Sequence, residues 1–420
     1  LSMALTTVLL LLLLLLLAVD GAHCVTHPRD VRVLKLLKGT IVSGGAALPP
    51  ASCIASWDFA VDPCDAVFSD KFTCGIRCDA YAGNFSRVTE VALDSAAYSG
   101  DISAVDWNLP FLQNLDVSTN AFYGRMPASF SALIQLRRLS LSHNSLSGGL
   151  SDSVASLANL EELYLDNNFF TGGIPPNFGN LRTLKRLELQ GNRLTGAFTD
   201  LGRLTGLNFL DASDNWLSGG LPASLPPSLV ELVARNNGIE GEIGANLMPP
   251  SLQVLDLSHN KLSGSVPSDL FTHPGLEQLT LSFNELESVQ IPDDYYMGLL
   301  SDRLVSADLS NNRIEGLLPG FMGLMPRLAA LSLEENRFWG FIPPEYVMKI
   351  VINGPISGRT QFVRLLLGGN YLFGPIPGGF LELKPGSVDI RLGDNCLFRC
   401  PVRFFFCGGG PQKPSFQCRK

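Results

Sequence analysis

Histidine and aspartate are the residues of this sequence that could carry out acid–base chemistry. The five histidines are scattered, and two of them, His143 and His259, occupy the same place in a recurring motif; aspartates recur in the same way at positions 116, 211, 256 and 308. Paired carboxylates can hydrolyse glycosides, but side chains placed by a repeat are typical of a scaffold. The signatures of serine hydrolases, phosphate-binding loops, dinucleotide-binding turns and zinc proteases are absent from the sequence. We therefore predict that the chain is not an enzyme and uses no cofactor or metal ion.

Side chains that could anchor a binding partner lie beside the leucines of short L-x-L segments. The candidates are Arg138, Glu162, Tyr164, Asp166, Arg186, Glu188, Gln190, Phe209, Asp211, Glu231 and Arg235. Exposed Tyr, Phe and Arg side chains are common anchors of protein interfaces. Arg138, Glu162 and Arg186 share one place of the motif, so they could instead form a solvated charge ladder across strands. Both interpretations stay open, and the two aromatic rings favour binding because a ladder does not need them.

The nine cysteines form two clusters at opposite ends of the chain. The clusters are Cys53, Cys64, Cys74 and Cys78, and Cys396, Cys400, Cys407 and Cys418, with Cys24 left over. No nearby histidine completes a metal site with them, and disulfides persist in oxidising compartments. We therefore expect disulfides within each cluster and an exported protein, and the pairing stays open because four cysteines allow three arrangements.

One motif, L-x-x-L-x-L-x-x-N-x-L-x-G-x-x-P, recurs through the middle of the chain. Its asparagine place falls at positions 96 (an alanine), 120, 144, 168, 192, 215, 237, 260, 284, 312, 336, 370 and 395. The spacing is mostly 22 to 25 residues, and two longer steps indicate insertions near 288–301 and 344–361. Insertions between repeats often form binding loops, so these two are a second candidate site. The pattern predicts about thirteen coils over residues 88–395.

Each place in the motif has a structural role. The L-x-L core has the period of a strand, so its leucines point inward and the residues between them point outward. We expect the asparagine amide to bond backbone groups of its own and the adjacent coil. Glycine four places later permits a tight backbone path, and proline three places beyond it suits a turn or an edge. Stacked coils of this kind form a solenoid with a continuous parallel sheet.

The ends of the chain differ from its middle. Residues 1–22 contain a leucine run followed by small residues, which predicts a secretory signal peptide. Residues 23–87 would form an N-terminal cap with a short amphipathic helix over 29–38, and 396–420 a C-terminal cap. The sequon at Asn84 predicts glycosylation. No second long apolar run follows, so we expect a secreted chain without a membrane span.

Composition narrows the class of partner. The 420 residues carry a net charge of -8, and only 17% are charged while 46% are hydrophobic. The apolar content is too high for a disordered chain. Nucleic-acid binding requires clustered Lys and Arg, so nucleic acid is not an expected partner.

The motif and both ends resemble the extracellular leucine-rich-repeat proteins of plants. Gly172, Gly219 and Gly340 begin the G-x-[IL]-P signature of that subclass, and the cysteine segments are similar to the caps of receptor-like proteins. The resemblance implies an α/β-type right-handed solenoid with a concave parallel sheet and two cysteine-bearing caps. It also implies recognition of a protein, peptide or cell-wall glycan in the cell wall space, in signalling or defence, with a membrane receptor kinase as a further partner.

Two alternatives to that function remain open. One is an inhibitor of microbial wall-degrading hydrolases, as in the polygalacturonase-inhibiting family, which is usually nearer ten repeats. The other is a truncated ectodomain of a receptor-like protein or receptor kinase.

Overall fold

The computed structural model describes residues 24–43, 48–245, 247–293, 300–351, 360–401, 403–408 and 410–418. The predicted signal peptide and the greater part of each insertion's tip, 294–299 and 352–359, lie outside the described residues. The chain divides into two compact units. The N-terminal unit contains residues 1–147 and 156–162, and the C-terminal unit contains 148–155 and 163–420.

The L-x-L segments form strands that pair side by side, and we call this sheet in each unit the main sheet. In the N-terminal unit its strands are Ile76–Arg77, Glu90–Ala92, Asn114–Asp116 and Arg138–Ser140, of which the first two pair antiparallel and the rest parallel. In the C-terminal unit they are Arg186–Glu188, Phe209–Asp211, Glu231–Val233, Val254–Asp256, Gln278–Thr280, Ser306–Asp308, Ala330–Ser332, Arg364–Leu366 and Asp389–Arg391, all parallel. The strand Glu162–Tyr164 contains the last residue of the first unit and the first residues of the second.

The main sheet is in register, so equivalent motif places align from coil to coil. Leu187 pairs with Leu210, and Leu210 with Leu232. All three are at most 1% exposed, which places the core directly behind the sheet. Burying such a side chain stabilises the fold by about 1.5–3 kcal/mol. The residues between these leucines point to the opposite face, as the period of two requires.

A second set of strands follows each asparagine. In the N-terminal unit Tyr123–Arg125 pairs with the beginning of Ser145–Gly149, whose last residues belong to the second unit. The C-terminal unit contains Phe169–Gly172, Arg193–Ala197, Trp216–Gly219, Gly238–Glu242, Lys261–Ser263, Ser265–Val266, Ser288–Val289, Glu315–Leu317, Arg337–Gly340, Tyr371–Pro375 and Cys396–Phe398. We call these strands the second sheet, and they form three separate groups in the C-terminal unit.

Helices are short except at the N-terminus. The α-helices are Pro28–Ser43, Cys53–Ser56, Asp269–Thr272, Phe321–Leu324, Pro344–Val351 and Gly378–Leu381, and the 3₁₀ helices are Ile102–Ala104, Ala128–Ala132, Val154–Ser156, Pro176–Asn180 and Phe405–Cys407. Motif prolines Pro127, Pro175 and Pro377 occupy the N-cap of the helix that follows. The first helix contains the amphipathic segment 29–38 and buries Val33, Leu34 and Leu37.

The motif asparagines form a buried ladder, as predicted. Asn260 donates from Nδ2 to the carbonyls of Ala234 in the preceding coil and of Leu257 and Ser258 in its own coil, at 3.0–3.1 Å. Its Oδ1 accepts the backbone N–H of Ile239 at 3.0 Å. The same four contacts recur at Asn284, Asn312, Asn336, Asn370 and Asn395. Each amide thus satisfies backbone groups of two coils at once.

Gln412 takes the place of the next asparagine at the end of this ladder. Its Oε1 accepts the N–H of Leu397 at 2.9 Å, and its Nε2 donates to the carbonyl of Leu392 at 3.0 Å. In any other coil, the backbone groups at these two places, the N–H of Leu397 and the carbonyl of Leu392, would be bonded by the asparagine of the following coil. The C-terminal cap therefore ends the ladder with a side chain that reproduces the repeat's own contacts.

Four disulfides lie within the two cysteine clusters. The pairs are Cys53–Cys74, Cys64–Cys78, Cys396–Cys418 and Cys400–Cys407, and Cys24 is free.

A buried ion pair attaches the first helix to the N-terminal cap. Arg87 binds both carboxylate oxygens of Asp30 at 2.8 and 2.9 Å, and both side chains are buried. Asp30 also accepts the N–H of Val88 at 3.0 Å. The remaining cap strands are Val25–Thr26, Ala80–Ala82 and Phe85–Arg87, and Asn84 is exposed in the turn between the last two.

Candidate binding surface on the main sheet

Ten of the eleven predicted binding residues lie at least partly exposed. Asp166 is the exception: it was expected to project into solvent, but only 5% of it is accessible. Its Oδ2 accepts a hydrogen bond from Nδ2 of the adjacent Asn167 at 2.8 Å. Asp166 therefore supports the turn after its strand and offers little surface to a partner.

Arg138 and Glu162, in the N-terminal unit, form a cross-strand ion pair. Arg138 Nη1 lies 2.5 Å from Glu162 Oε2, and Arg138 Nη2 lies 3.9 Å from Asp116 Oδ2. The arginine and glutamate side chains are both more than a third exposed. A pair in this setting contributes about 0–1 kcal/mol. Arg138 and Glu162 thus make the contacts expected of a solvated charge ladder, not of a binding site.

Arg186 organises the part of the set that lies in the C-terminal unit. Its guanidinium carbon lies 3.7 Å from the ring centroid of Phe209 and 6.0 Å from that of Tyr164. Its Nε donates to Glu188 Oε1 at 2.5 Å. A cation over an aromatic face contributes about 0.5–1 kcal/mol at exposed sites and about 2 when desolvated. Arg186 therefore brings a cation and two aromatic rings together on one face of the sheet.

Carboxylates surround this cation on the neighbouring strands. Burial raises the pKa of Asp211; hydrogen bonds from Ser213 oppose the rise, and the negative charge of Glu188 adds to it. Burial likewise raises the pKa of Glu231; Arg186 opposes that rise, and Asp211 adds to it. Both shifts show acidic groups that are partly withdrawn from water and close to one another.

Gln190 contributes an unused acceptor beside these carboxylates. Its Nε2 donates to Glu188 Oε2 at 3.0 Å. Its Oε1 is buried and makes no hydrogen bond within the part of the chain that the structure describes. We call Tyr164, Arg186, Glu188, Gln190, Phe209, Asp211 and Glu231 the main-sheet cluster. Arg235 is exposed beside it and lies 3.9 Å from Asp214.

The arrangement suits recognition of a side chain that has both an apolar and a cationic part. The rings offer apolar contact. The cluster also has an excess of negative charge, because its three carboxylates, Glu188, Asp211 and Glu231, outnumber its single cation, Arg186. No group of three or more His, Cys, Asp or Glu side chains able to hold a metal occurs among the described residues.

The insertion near 344–361 begins with a helix that belongs to the core. Tyr346, on Pro344–Val351, is fully buried and donates from its hydroxyl to the carbonyl of Pro319 at 3.1 Å. Lys349 is also buried and donates to the carbonyl of Met325 at 2.6 Å. This first part of the insertion has a packing role. Residues 352–359, and 294–299 of the other insertion, lie outside the described residues.

Comparison with known proteins identifies the repeat. The family described as leucine rich repeat matches residues 110–170 and again 251–272. The plant peptide hormone receptor RGFR1, solved in complex with RGF2, superposes with a TM-score of 0.63 at 29% identity, over 77% of this chain and 52% of that one. The ectodomain of GASSHO1/SCHENGEN3 from Arabidopsis thaliana, solved with CASPARIAN STRIP INTEGRITY FACTOR 2, gives 0.64 at 27% identity, over 87% and 44%. The chain is a leucine-rich-repeat protein that is similar to the ectodomains of plant receptors.

Podocan-like and receptor-like proteins are similar to parts of this leucine-rich-repeat chain. It is 33% identical to human podocan-like protein 1 over 180 residues, which is 42% of this chain and 32% of that protein. It is also 33% identical to receptor-like protein 35 of Arabidopsis thaliana over 150 residues, 35% of this chain and 15% of that protein. The chain thus spans about a third or less of these relatives' length. Within the described ranges, no helix is both long and apolar enough to cross a bilayer.

The comparisons and the structure together confirm the predicted fold. The protein is a leucine-rich-repeat solenoid with parallel main-sheet strands and disulfide-bonded segments near both ends. The chain is similar in part to receptor ectodomains and to podocan-like proteins.

Proposed function

We propose that this leucine-rich-repeat protein is a secreted recognition protein that binds a peptide or protein partner through the main-sheet cluster. Two structural relatives were solved with peptide or protein factors bound, and proteins of this type are typically not enzymes. The four disulfides support an oxidising, extracellular location such as the plant cell wall space. The proposed role is signalling or defence, in association with a membrane receptor kinase.

The stacked arrangement of Arg186 on Phe209 carries the proposal. A surface ladder needs only paired charges, whereas here a guanidinium lies on one ring and near a second, on strands held in register. Interfaces concentrate their energy in such aromatic and arginine anchors. Because three partly withdrawn carboxylates lie around this anchor, the favoured partner presents a basic side chain next to an apolar one.

The test replaces both rings of the cluster in one variant, Tyr164→Ala with Phe209→Ala. The purified protein is immobilised and exposed to extracts of cell wall and plasma membrane, and retained proteins are identified and then titrated singly. We expect the double variant to lose at least tenfold in affinity for a retained partner. Trp216→Ala is the matched control, because Trp216 is an exposed ring on the second sheet of the same unit.

The outcomes separate the alternatives. Retention of a receptor kinase or a secreted peptide supports the proposed role. Retention of a microbial pectinase supports the inhibitor alternative instead. Unchanged affinity of a correctly folded double variant would remove the main-sheet cluster from the binding site.

A further inference from the structure

A strip of large apolar side chains is exposed on the last group of second-sheet strands. Its strands are Glu315–Leu317, Arg337–Gly340, Tyr371–Pro375 and Cys396–Phe398. We call the exposed residues Leu317, Trp339, Phe341, Phe373 and Phe398 the apolar strip; each is between 39% and 67% exposed. At the same motif places, three and five after the asparagine, the preceding coils of this unit carry mainly small or polar residues such as Thr171, Glu240 and Ser263. A contiguous apolar surface confined to a few coils marks an interaction site.

The strip is continuous from strand to strand. Leu317 pairs in register with Trp339, and the rings of Phe341 and Phe373 meet edge to face at 5.0 Å. Pro375 pairs in register with Phe398 on the last strand. Neighbouring strands lie about 4.8 Å apart, so the strip crosses about 14 Å, which is the length of about four to five extended residues.

The strip leads into a cleft between the last coil and the C-terminal cap. The cleft has a volume of about 900 Å³, and Phe398 and Pro375 belong both to it and to the last two strands. Its other apolar walls include Leu381, Leu397 and Phe404.

Two arginines, Arg399 and Arg403, supply the charge of this cleft. No carboxylate lines it among the residues that the structure describes. Arg403 lies 5.4 Å from the ring of Phe404. Both arginines are exposed, and neither makes an ion pair with any described residue. In a chain with a net charge of -8, an apolar cleft with two unpaired cations is complementary to an anion attached to an apolar group.

Arg399 adopts a backbone conformation that an arginine rarely takes. It occupies the motif place that is glycine in most coils, and its φ of 56° is left-handed. That conformation is sterically unfavourable for a residue other than glycine. Strained residues of this kind concentrate at functional sites, and glycine would remove the strain at this place.

We propose that the strip and the cleft bind the C-terminal end of an extended peptide from a partner. Apolar side chains of the peptide lie on the strip, and its terminal carboxylate binds the guanidinium groups of Arg399 and Arg403. Charge-assisted arginine–carboxylate bonds supply the specificity for a free C-terminus. This surface is separate from the main-sheet cluster and does not rest on the function proposed above.

The test measures binding of a fluorescent pentapeptide, Leu-Ser-Phe-Ser-Leu, with a free C-terminal carboxylate, and of its amidated twin. We expect the wild-type protein to bind the carboxylate form at least tenfold more tightly than the amide. Arg399→Gly restores the glycine of the repeat, so it should fold with at least wild-type stability and still lose that preference. Arg313→Gly is the control, because Arg313 is an exposed arginine outside the cleft and already pairs with Glu285.

Several results would overturn the proposal. These are failure of the wild-type protein to bind either peptide, equal binding of both forms, or an unchanged preference in Arg399→Gly. Tighter binding of polygalacturonate than of the peptide would assign the surface to a glycan. A dimer that the double variant Phe341→Ser with Phe398→Ser abolishes would assign it to a second copy of the chain. The Tyr164→Ala and Phe209→Ala variant should retain peptide binding here, so this test and the preceding one fail independently.

Discussion

His273 is a buried imidazole whose two ring nitrogens both contact the backbone. Nδ1 accepts the N–H groups of Gly275 and Leu276 at 3.2 and 3.0 Å, and Nε2 lies 3.1 Å from the carbonyl of Pro249. These contacts require the neutral ring with its proton on Nε2. Burial lowers the pKa of His273, and the hydrogen bonds to the carbonyls of Pro249 and Met248 only partly oppose this effect.

The free energy of unfolding should therefore fall in acid because of this residue. The unfolded chain takes up a proton on His273 near its ordinary pKa of 6.5, whereas the folded chain does so only at lower pH. The stabilisation is complete above that value and is lost as the pH decreases below it, by up to about 1.4 kcal/mol per pH unit. Urea unfolding between pH 7.5 and 5 should show a steeper loss for the wild type than for His273→Gln. The exposed His143→Gln is the control, and parallel pH profiles for His273→Gln and the wild type would contradict the prediction.

At the scale of the element, the residue before the ladder asparagine has a left-handed backbone conformation in twelve successive coils. Its residues are Thr119, His143, Asn167, Gly191, Asp214, Asn236, His259, Phe283, Asn311, Glu335, Gly369 and Asp394, all with φ between 50 and 68°. The main-sheet strand ends here, and the chain turns toward the second sheet. Asn, Asp and Gly tolerate this conformation best. Thr119 is the β-branched member of the set, and it is exposed.

Thr119→Asn should stabilise the N-terminal unit. Asparagine relieves the steric cost of a β-branched residue at this φ, and we expect a gain of about 1 kcal/mol. Differential scanning calorimetry would record it as an increase in Tm. Thr171→Asn, which changes an exposed threonine within the strand Phe169–Gly172, should give no gain. A loss of stability in Thr119→Asn would show that the threonine side chain has a compensating role.

The sequence predicted the parts of the fold that depend on periodicity. Alternation of leucine identified the face that Leu187 and Leu210 bury, and the asparagine place identified the ladder that Asn260 represents. It did not predict the burial of Asp166, because burial there depends on the local turn and not on strand alternation. Nor did it indicate that Arg186 stacks on Phe209, since a choice among neighbouring charges and rings depends on side-chain rotamers across coils.

The apolar strip and Arg399 are visible in the sequence as departures from the repeat, but the regularity of the repeat draws attention away from them. The apolar strip is visible in the sequence at the places three and five after each motif asparagine, where Trp339, Phe341 and Phe373 replace the mainly small or polar residues of the preceding coils. Arg399 was visible as an exception to the glycine place, but its left-handed backbone requires coordinates. His273 lies outside the repeated histidine place, and only the contacts of its ring show why it is buried.

At the scale of the whole molecule, covalent links are confined to the ends of the repeat array. The sequence contains no cysteine between Cys78 and Cys396, so the coils between them rely on contacts with their neighbours. In such arrays each coil is stabilised mainly by the coils beside it. The disulfides therefore protect the coils that have a neighbour on one side only.

Removal of each of the two C-terminal disulfides in turn should destabilise the protein by different amounts. The cysteines of the Cys396–Cys418 and Cys400–Cys407 pairs are 22 and 7 residues apart. Loop entropy predicts losses of about 3.4 kcal/mol for the Cys396→Ala and Cys418→Ala variant and about 2.4 kcal/mol for the Cys400→Ala and Cys407→Ala variant. Hydrogen exchange of the strand Asp389–Arg391 provides the measurement. A larger effect of the shorter loop would indicate that cap packing, not loop entropy, dominates.

The glutamine that replaces an asparagine at the end of the ladder limits how such a protein can lengthen. A repeat duplicated inside the array meets the same amide contacts on both sides and can be accommodated without other change. A repeat added after Phe398 would compete with Gln412 for the N–H of Leu397 and the carbonyl of Leu392. Growth by gene duplication is therefore favoured within the array and disfavoured at this end.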